Sequence, residues 1–145
     1  MQNFIYSAAL TSDEEDGGFV VTFRDLPEAI SQGEAVEDAL REAADCLEEA
    51  IANRIVMGLP IPQPTETNQP EHAISLSAQM AAKAALYSTI RDSGLTRVEL
   101  AKRLQCNTSE VHRLLDPRHA SELPRIEAAL AAMGRQLVVA LHSAA

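Results

Sequence analysis

The stretch Leu95-Thr96-Arg97-Val98-Glu99-Leu100-Ala101-Lys102-Arg103-Leu104-Gln105-Cys106-Asn107-Thr108-Ser109-Glu110-Val111-His112-Arg113-Leu114-Leu115 carries two helix-start signals in succession. Thr96 and Glu99 have capping-box spacing, which lets the hydroxyl accept from the Glu99 amide while the carboxylate returns to the Thr96 amide. Leu95 and Leu100 flank that cap with the spacing of a hydrophobic staple. Asn107 with Glu110, and Cys106 with Val111, repeat both devices. The pattern predicts two short helices joined by a tight turn. Leu100, Ala101, Leu104, Val111, Leu114 and Leu115 can then close over one small core, leaving Thr108, Ser109, His112 and Arg113 outward.

That outward face has the form a DNA-reading helix-turn-helix needs, with the first residues of its second helix at the base edges. An ordinary helical hairpin is the competing reading. On the DNA reading, Thr108 and Ser109 lie where the backbone nears the groove, and Arg113 is placed for a bidentate contact to guanine. His112 reaches a base or phosphate, or is a plain surface histidine. Arg97, Lys102, Arg118 and His119 read as phosphate contacts that hold register; for Arg97 and Lys102 a solvated face explains the charge equally well. The leucine, threonine, glutamate, leucine, alanine series before the turn resembles the bacteriophage-repressor class of helix-turn-helix. Gln105 stands where that class usually has glycine, so a left-handed glutamine is expected there at a cost of ~1 kcal/mol.

Charge divides the chain. Residues 1–71 carry fifteen Asp and Glu against three Arg, a net of −12, whereas residues 72–145 carry nine Lys and Arg against six acids, a net of +3. The overall −9 argues against nucleic-acid binding only if the chain acts as one unit, because phosphate contacts supply much of that affinity. Cys46 and Cys106 have no metal-ligand spacing and fall on or beside apolar faces, so reduced, buried thiols are expected. No signal peptide or membrane span is visible, and the expected compartment is the cytoplasm.

In the acidic half, residues 4–10 and 19–24 alternate as strands around the loop Ser12-Asp13-Glu14-Glu15-Asp16-Gly17-Gly18. Asp25-Leu26-Pro27 is expected to end the second strand, with a short third strand over residues 29–32. Val36, Ala39, Leu40, Ala43, Leu47, Ala50, Ile51 and Ile55 then form one helical stripe, stopped by Gly58 and Pro60. Its opposite face is nearly all acidic: either a solvated surface or one that meets a basic partner. Four prolines within residues 60–70 predict an extended, semi-rigid linker.

Past the linker, residues 73–77 alternate as a short strand, and Met80, Ala84, Tyr87 and Ile90 mark a helix ending near Gly94. Ser121 is placed to cap a further helix through Ile126, Leu130 and Met133, closed by Gly134. Leu137, Val139 and Leu141 alternate as a terminal strand that needs a mate. The strand at 73–77 and a second copy of the chain are the natural candidates, with pairing inside one chain as the alternative. A two-fold DNA-binding dimer would set its recognition helices about 34 Å apart.

Phe23, Asp25, Leu26 and Pro27, followed by Gln32, Gly33, Glu34 and an alanine-rich helix, resemble the amino-terminal domain of HicB antitoxins. The resemblance extends to the branch that appends a helix-turn-helix and a terminal strand; Ala35 departs from it where a capping threonine is usual. It implies an α+β fold in three parts: a partial ribonuclease H-like, toxin-binding sheet and helix over residues 1–59, a linker over 60–71, and a DNA-binding, dimerising domain over 72–145. It also implies a small basic HicA-like toxin that cleaves messenger RNA, operator DNA as second partner, and a homodimer or larger homo-oligomer. Candidate toxin contacts are Asp13, Glu14, Glu15, Asp16, Asp25 and Glu28. No cofactor, metal or catalytic residue is expected, since a ribonuclease H site needs carboxylates converging on two metal ions and only Asp25 stands at a strand end. The rival is a DNA-binding regulator whose acidic domain senses a small molecule or metal; a tethered ribonuclease is a third reading.

Overall fold

Residues that alternate apolar and polar at the amino terminus form an antiparallel sheet in the computed structural model, which describes residues 1–143. Its strands are β1 (Ile5–Ser12), β2 (Phe19–Phe23), β3 (Leu26–Gly33) and β4 (His72–Ser75), in the order β3-β2-β1-β4. Five helices follow or interleave: α1 (Val36–Met57), α2 (Ala78–Ser93), α3 (Arg97–Leu104), α4 (Thr108–Leu115) and α5 (Leu123–Ala131). Tyr6, Ala8, Val21, Phe23 and Ile74 turn to one face of the sheet, where Ala39, Ala43, Leu47 and Ile51 of α1 bury them. Small residues on α1 let it lie close. At Gly33 a Cβ would stand 2.4 Å from the Ala39 backbone nitrogen, so only glycine permits this crossing.

Two strand boundaries differ from expectation. Phe23 pairs with Leu26 across a two-residue turn, so Leu26 and Pro27 begin β3 and do not end β2. Proline is tolerated there because β3 is an edge strand whose second residue owes no ladder bond outward. Between β1 and β2, the Asp13 carboxylate accepts from the amides of Glu15 and Asp16, and the Asp13 amide donates to Gly18. Gly18 takes φ +75°, and a Cβ on it would meet the Gly33 carbonyl oxygen at 2.6 Å.

The proline-rich stretch is fastened down instead of spanning free. Tyr6 donates to the Pro62 carbonyl at 2.7 Å, and Arg54 donates to that of Pro60 at 2.8 Å. Asp25 accepts from both the amide and the hydroxyl of Thr65, while Arg24 donates to Thr65, Glu66 and Glu71. Proline rings supply rigidity but leave carbonyls as acceptors, and buried donors on the sheet use them. The chain then re-enters the sheet as β4, antiparallel to β1, with Tyr6 opposite Ile74. The strand expected at residues 73–77 therefore completes the amino-terminal sheet, although it lies beyond the boundary placed at residue 72.

The helices obey their caps. Gly58 and Gly94 close α1 and α2 with left-handed φ, and Ser77 starts α2 by accepting from the Met80 amide. Ala35 caps α1 without a side-chain bond. Ser121 does not cap α5: Glu122 holds that position, and the Ser121 hydroxyl is used elsewhere. Residues 135–143 form neither strand nor helix, so the expected terminal strand has no partner among the described residues. Val138, Val139 and Leu141 are exposed. The helical layer rests on α1 through Tyr87, whose hydroxyl donates to the Leu59 carbonyl, through Arg91 to Gly58, and through the Ser77 amide to Glu48.

Candidate functional site

Two surfaces of opposite character stand out. On the sheet side, the candidate acids separate by task. Asp13 organises its own loop, Asp25 anchors Thr65, and Glu28 forms a two-pronged pair with Arg54 at 2.6 and 3.0 Å. That pair holds the Glu28 carboxyl below its usual 4.5 and raises the Arg54 guanidinium further. Only Glu14, Glu15 and Asp16 remain as a fully exposed acidic tip. The carboxylates thus do not converge, and no group of three or more His, Cys, Asp or Glu capable of holding a metal occurs among the described residues.

A stronger acidic feature lies where no single motif pointed. A cleft between β3 and α1 is lined by Glu28, Ile30, Ser31, Glu42, Asp45 and Glu49, with Cys46 at its floor. Burial and the neighbouring Glu49 and Glu42 push the Cys46 thiol up, which disfavours the thiolate. Acid repetition along α1 was visible in the sequence; that it faces the outer edge of β3 depends on sheet order.

On the opposite side, α3 and α4 meet through a turn of three residues. Thr96 caps α3 by accepting from the Glu99 amide at 3.1 Å, but the Glu99 carboxylate accepts from the Thr96 hydroxyl instead of its amide. Gln105 closes α3 at φ 55° and ψ 43°, and the Cys106 amide reaches back to the Ala101 carbonyl. Asn107 caps α4, accepting from the Glu110 amide and the Ser109 hydroxyl. Glu110 does not complete a second box; its carboxylate pairs with Arg125 of α5. Leu100, Val111, Leu114 and Leu115 are buried, while Ser109, His112 and Arg113 are exposed and Thr108 is half-buried.

Arg97 and His112 come together, the guanidinium donating to His112 Nδ1 at 2.5 Å. Lys102 and Arg113 make no ion pair among the described residues. His119 borders a shallow depression beside Arg113 and Arg125. Arg118 is set apart: it lines a groove with Glu48, Glu49 and Asn53 of α1. Six of the eight candidate residues therefore belong to α3 and α4; His119 and Arg118 lie in the loop that follows, Arg118 in a groove with the acidic helix.

Lys83 is the residue that sequence reading missed. It is 0% exposed, and its Nζ donates to the carbonyls of Arg113 and Leu114 and to the Ser121 hydroxyl at 2.9–3.1 Å. A cation at the carboxyl end of α4 meets the negative pole of the helix and satisfies its orphan carbonyls. Burial lowers its pKa from 10.5, opposed by nearby Asp116. The available signal was a lysine three residues after Met80 and four before Tyr87, on the apolar stripe of α2.

The family model described as HicB_like antitoxin of bacterial toxin-antitoxin system matches residues 5–85. Among curated proteins, Antitoxin HicB of Escherichia coli (strain K12) is 34% identical over 132 residues, covering 91% of this chain and 95% of that protein. Antitoxin HicB 1 of Photorhabdus laumondii is 34% identical over 142 residues, covering 98% and 90%. Antitoxin HicB of Pseudomonas fluorescens (strain Pf0-1) is 32% identical over 141 residues, covering 97% of each.

Proposed function

Because the chain belongs to the HicB-like family of antitoxins of bacterial toxin–antitoxin systems, we propose that it neutralises a small basic HicA-like, messenger-RNA-cleaving toxin by direct binding and represses its own operon through α3 and α4. Antitoxins are binding proteins, not enzymes, and imply a toxin partner. The observation that carries the reading is similarity across almost the whole of proteins named Antitoxin HicB, which includes the helical part and not the sheet alone.

Toxin binding is assigned to the acidic amino-terminal side. Its field would steer a basic partner and its carboxylates would occlude a cationic surface. Asp13, Glu14, Glu15, Asp16, Asp25 and Glu28 were the candidates; the exposed Glu14, Glu15 and Asp16 are free to meet a partner, whereas the other three are engaged within the chain.

DNA binding is assigned to α3 and α4 as a helix-turn-helix. Thr108 and Ser109 enter the major groove, Arg113 reads a base, and Arg97, Lys102, His112 and His119 hold phosphates or base edges. Arg118 stands apart from these residues, in a groove with Glu48 and Glu49 of α1. Two copies joined through residues 137–141 would present two such helices to successive half-sites.

The test is co-expression with the neighbouring reading frame. That frame alone should arrest growth and messenger RNA should be cleaved; with this chain present, growth should resume and the two proteins should co-purify. A harmless neighbour, or one that stays toxic beside this chain, overturns the antitoxin reading. Footprinting on the upstream promoter checks the repressor half, with protection of two half-sites expected and no protection refuting it.

A further inference from the structure

We propose that the cleft between β3 and α1 receives an extended segment of the toxin partner, which pairs with β3 as a fifth strand and carries lysine or arginine side chains toward α1. The proposal rests on the antitoxin reading and adds where and how the partner is held.

β3 has β2 on one side and no strand on the other, so its outward N–H and C=O groups form a template for pairing. Proteins protect such edges with lysine, proline, bulges or a covering element. Here Pro27 protects only the start. From residue 28 to 33 the strand has no proline and no basic residue, and Ile30 at its centre is 62% exposed. An unpaired strand edge of that length, with Ile30 exposed at its centre, is open to pairing by a partner strand.

The opposite wall fixes the chemistry of that partner. Glu42, Asp45 and Glu49 project from successive turns of α1, and no lysine or arginine lines the cleft. Arg54 answers Glu28 alone. An added strand presents alternate side chains to the α1 side of the sheet, directly toward those three carboxylates, so cationic positions on it are matched in sign. A second copy of this chain does not fit. Edge-to-edge pairing of two β3 strands would bring two acidic walls together, and like charges across an interface oppose association. Nucleic acid is excluded by the same sign.

The experiment measures binding of the neighbouring-frame protein to the full chain and to three variants: Glu42→Lys with Glu49→Lys, Ile30→Lys, and, as a control matching the first in charge change, Glu122→Lys with Glu127→Lys at α5. All replaced side chains are exposed, and circular dichroism confirms that each variant folds. The two cleft variants should raise the dissociation constant about 30-fold or more and the α5 control no more than about 3-fold, as expected when charges at a desolvated centre differ from those outside the interface. Amide hydrogen exchange of residues 28–33 should slow in the complex, because strand pairing protects backbone amides while side-chain docking does not. Unchanged affinity in the cleft variants, an equal loss in the α5 control, or β3 amides that exchange alike free and bound each overturn the cleft while leaving the antitoxin reading standing. Failure of the wild-type chain to bind the neighbour at all overturns both.

Discussion

Gln105 holds the left-handed conformation at the end of α3 with φ 55° and ψ 43°, the single non-glycine residue with positive φ among the described residues. Its side chain is exposed and its amide and that of Cys106 already satisfy the last carbonyls of α3, so nothing but backbone strain distinguishes it from glycine. Gln105→Gly should therefore stabilise the protein by up to ~1 kcal/mol, read as a raised denaturant midpoint with an unchanged slope. Lys83 makes the opposite case, since its loss removes a donor from the Arg113 carbonyl and from the Ser121 hydroxyl and leaves the Leu114 carbonyl orphaned. Lys83→Met keeps the volume and removes the donors, and should cost about 2 kcal/mol. The pH dependence has a definite sign. Because its folded-state pKa is lowered from 10.5, the desolvation cost of the charge is fully present below that lowered value. Between it and 10.5 the unfolded chain binds more protons, so stability rises with pH. Tyr6, whose pKa burial and Asp25 raise, pulls the other way above 10.0. Comparing wild type with Lys83→Met cancels Tyr6, and the gap between them should widen toward alkaline pH in chemical denaturation. A constant gap would show that Lys83 is not buried as an ammonium.

Among the elements, β3 and the proline-rich segment are tied to α1 by one guanidinium. Arg54 bonds Glu28 on β3 and the Pro60 carbonyl at the start of the segment. Glu28 is lowered below 4.5 chiefly by its hydrogen bond to Arg54, so its contribution is present above 4.5 and is lost as pH falls through the lowered value. With Glu28 nearly half exposed, solvent screening limits the pair to about 0.5–1 kcal/mol. Glu28→Gln should flatten the acid limb of the stability profile by that amount and leave neutral stability changed by no more. The elements also show what a sequence discloses. Alternation at residues 4–10 and 19–24, the stripe of α1 and the caps at Thr96 and Asn107 are local signals, and the elements lie within one or two residues of where those signals put them. The destinations of β4 and of the proline-rich segment are not local. They depend on Tyr6, Arg24 and Asp25, side chains some forty to sixty residues away in the sequence that supply the missing donors and acceptors. The same limit hid the β3–α1 cleft, since strand order decides which edge is open, and led Ser121 to be read as a cap when a lysine on another helix holds its hydroxyl.

At the scale of the whole molecule, the described chain ends in an exposed apolar segment that joins neither the sheet nor a helix. Val138 is 57%, Val139 79% and Leu141 102% exposed, in an apolar segment with no ladder partner among the described residues. Water does not tolerate such a segment well, and its burial against the same segment of a second copy would remove it while ordering two α4 helices about a two-fold axis. Leu137, which is half-buried, already turns toward Pro124, Ala128 and Ala131 of α5, so the segment leaves the helical layer from a fixed point. A chain ended after Arg135 should therefore be monomeric by sedimentation where the full chain is dimeric, with the sheet and five helices intact by circular dichroism. Because each helix then binds its half-site alone, operator affinity should fall by about 100-fold or more, whereas toxin binding, which needs only the amino-terminal face, should hold within about 3-fold. A truncated chain that stays dimeric would move the interface elsewhere. One that loses toxin binding equally would mean that the two faces are not separable, and that the acidic surface needs both copies to act.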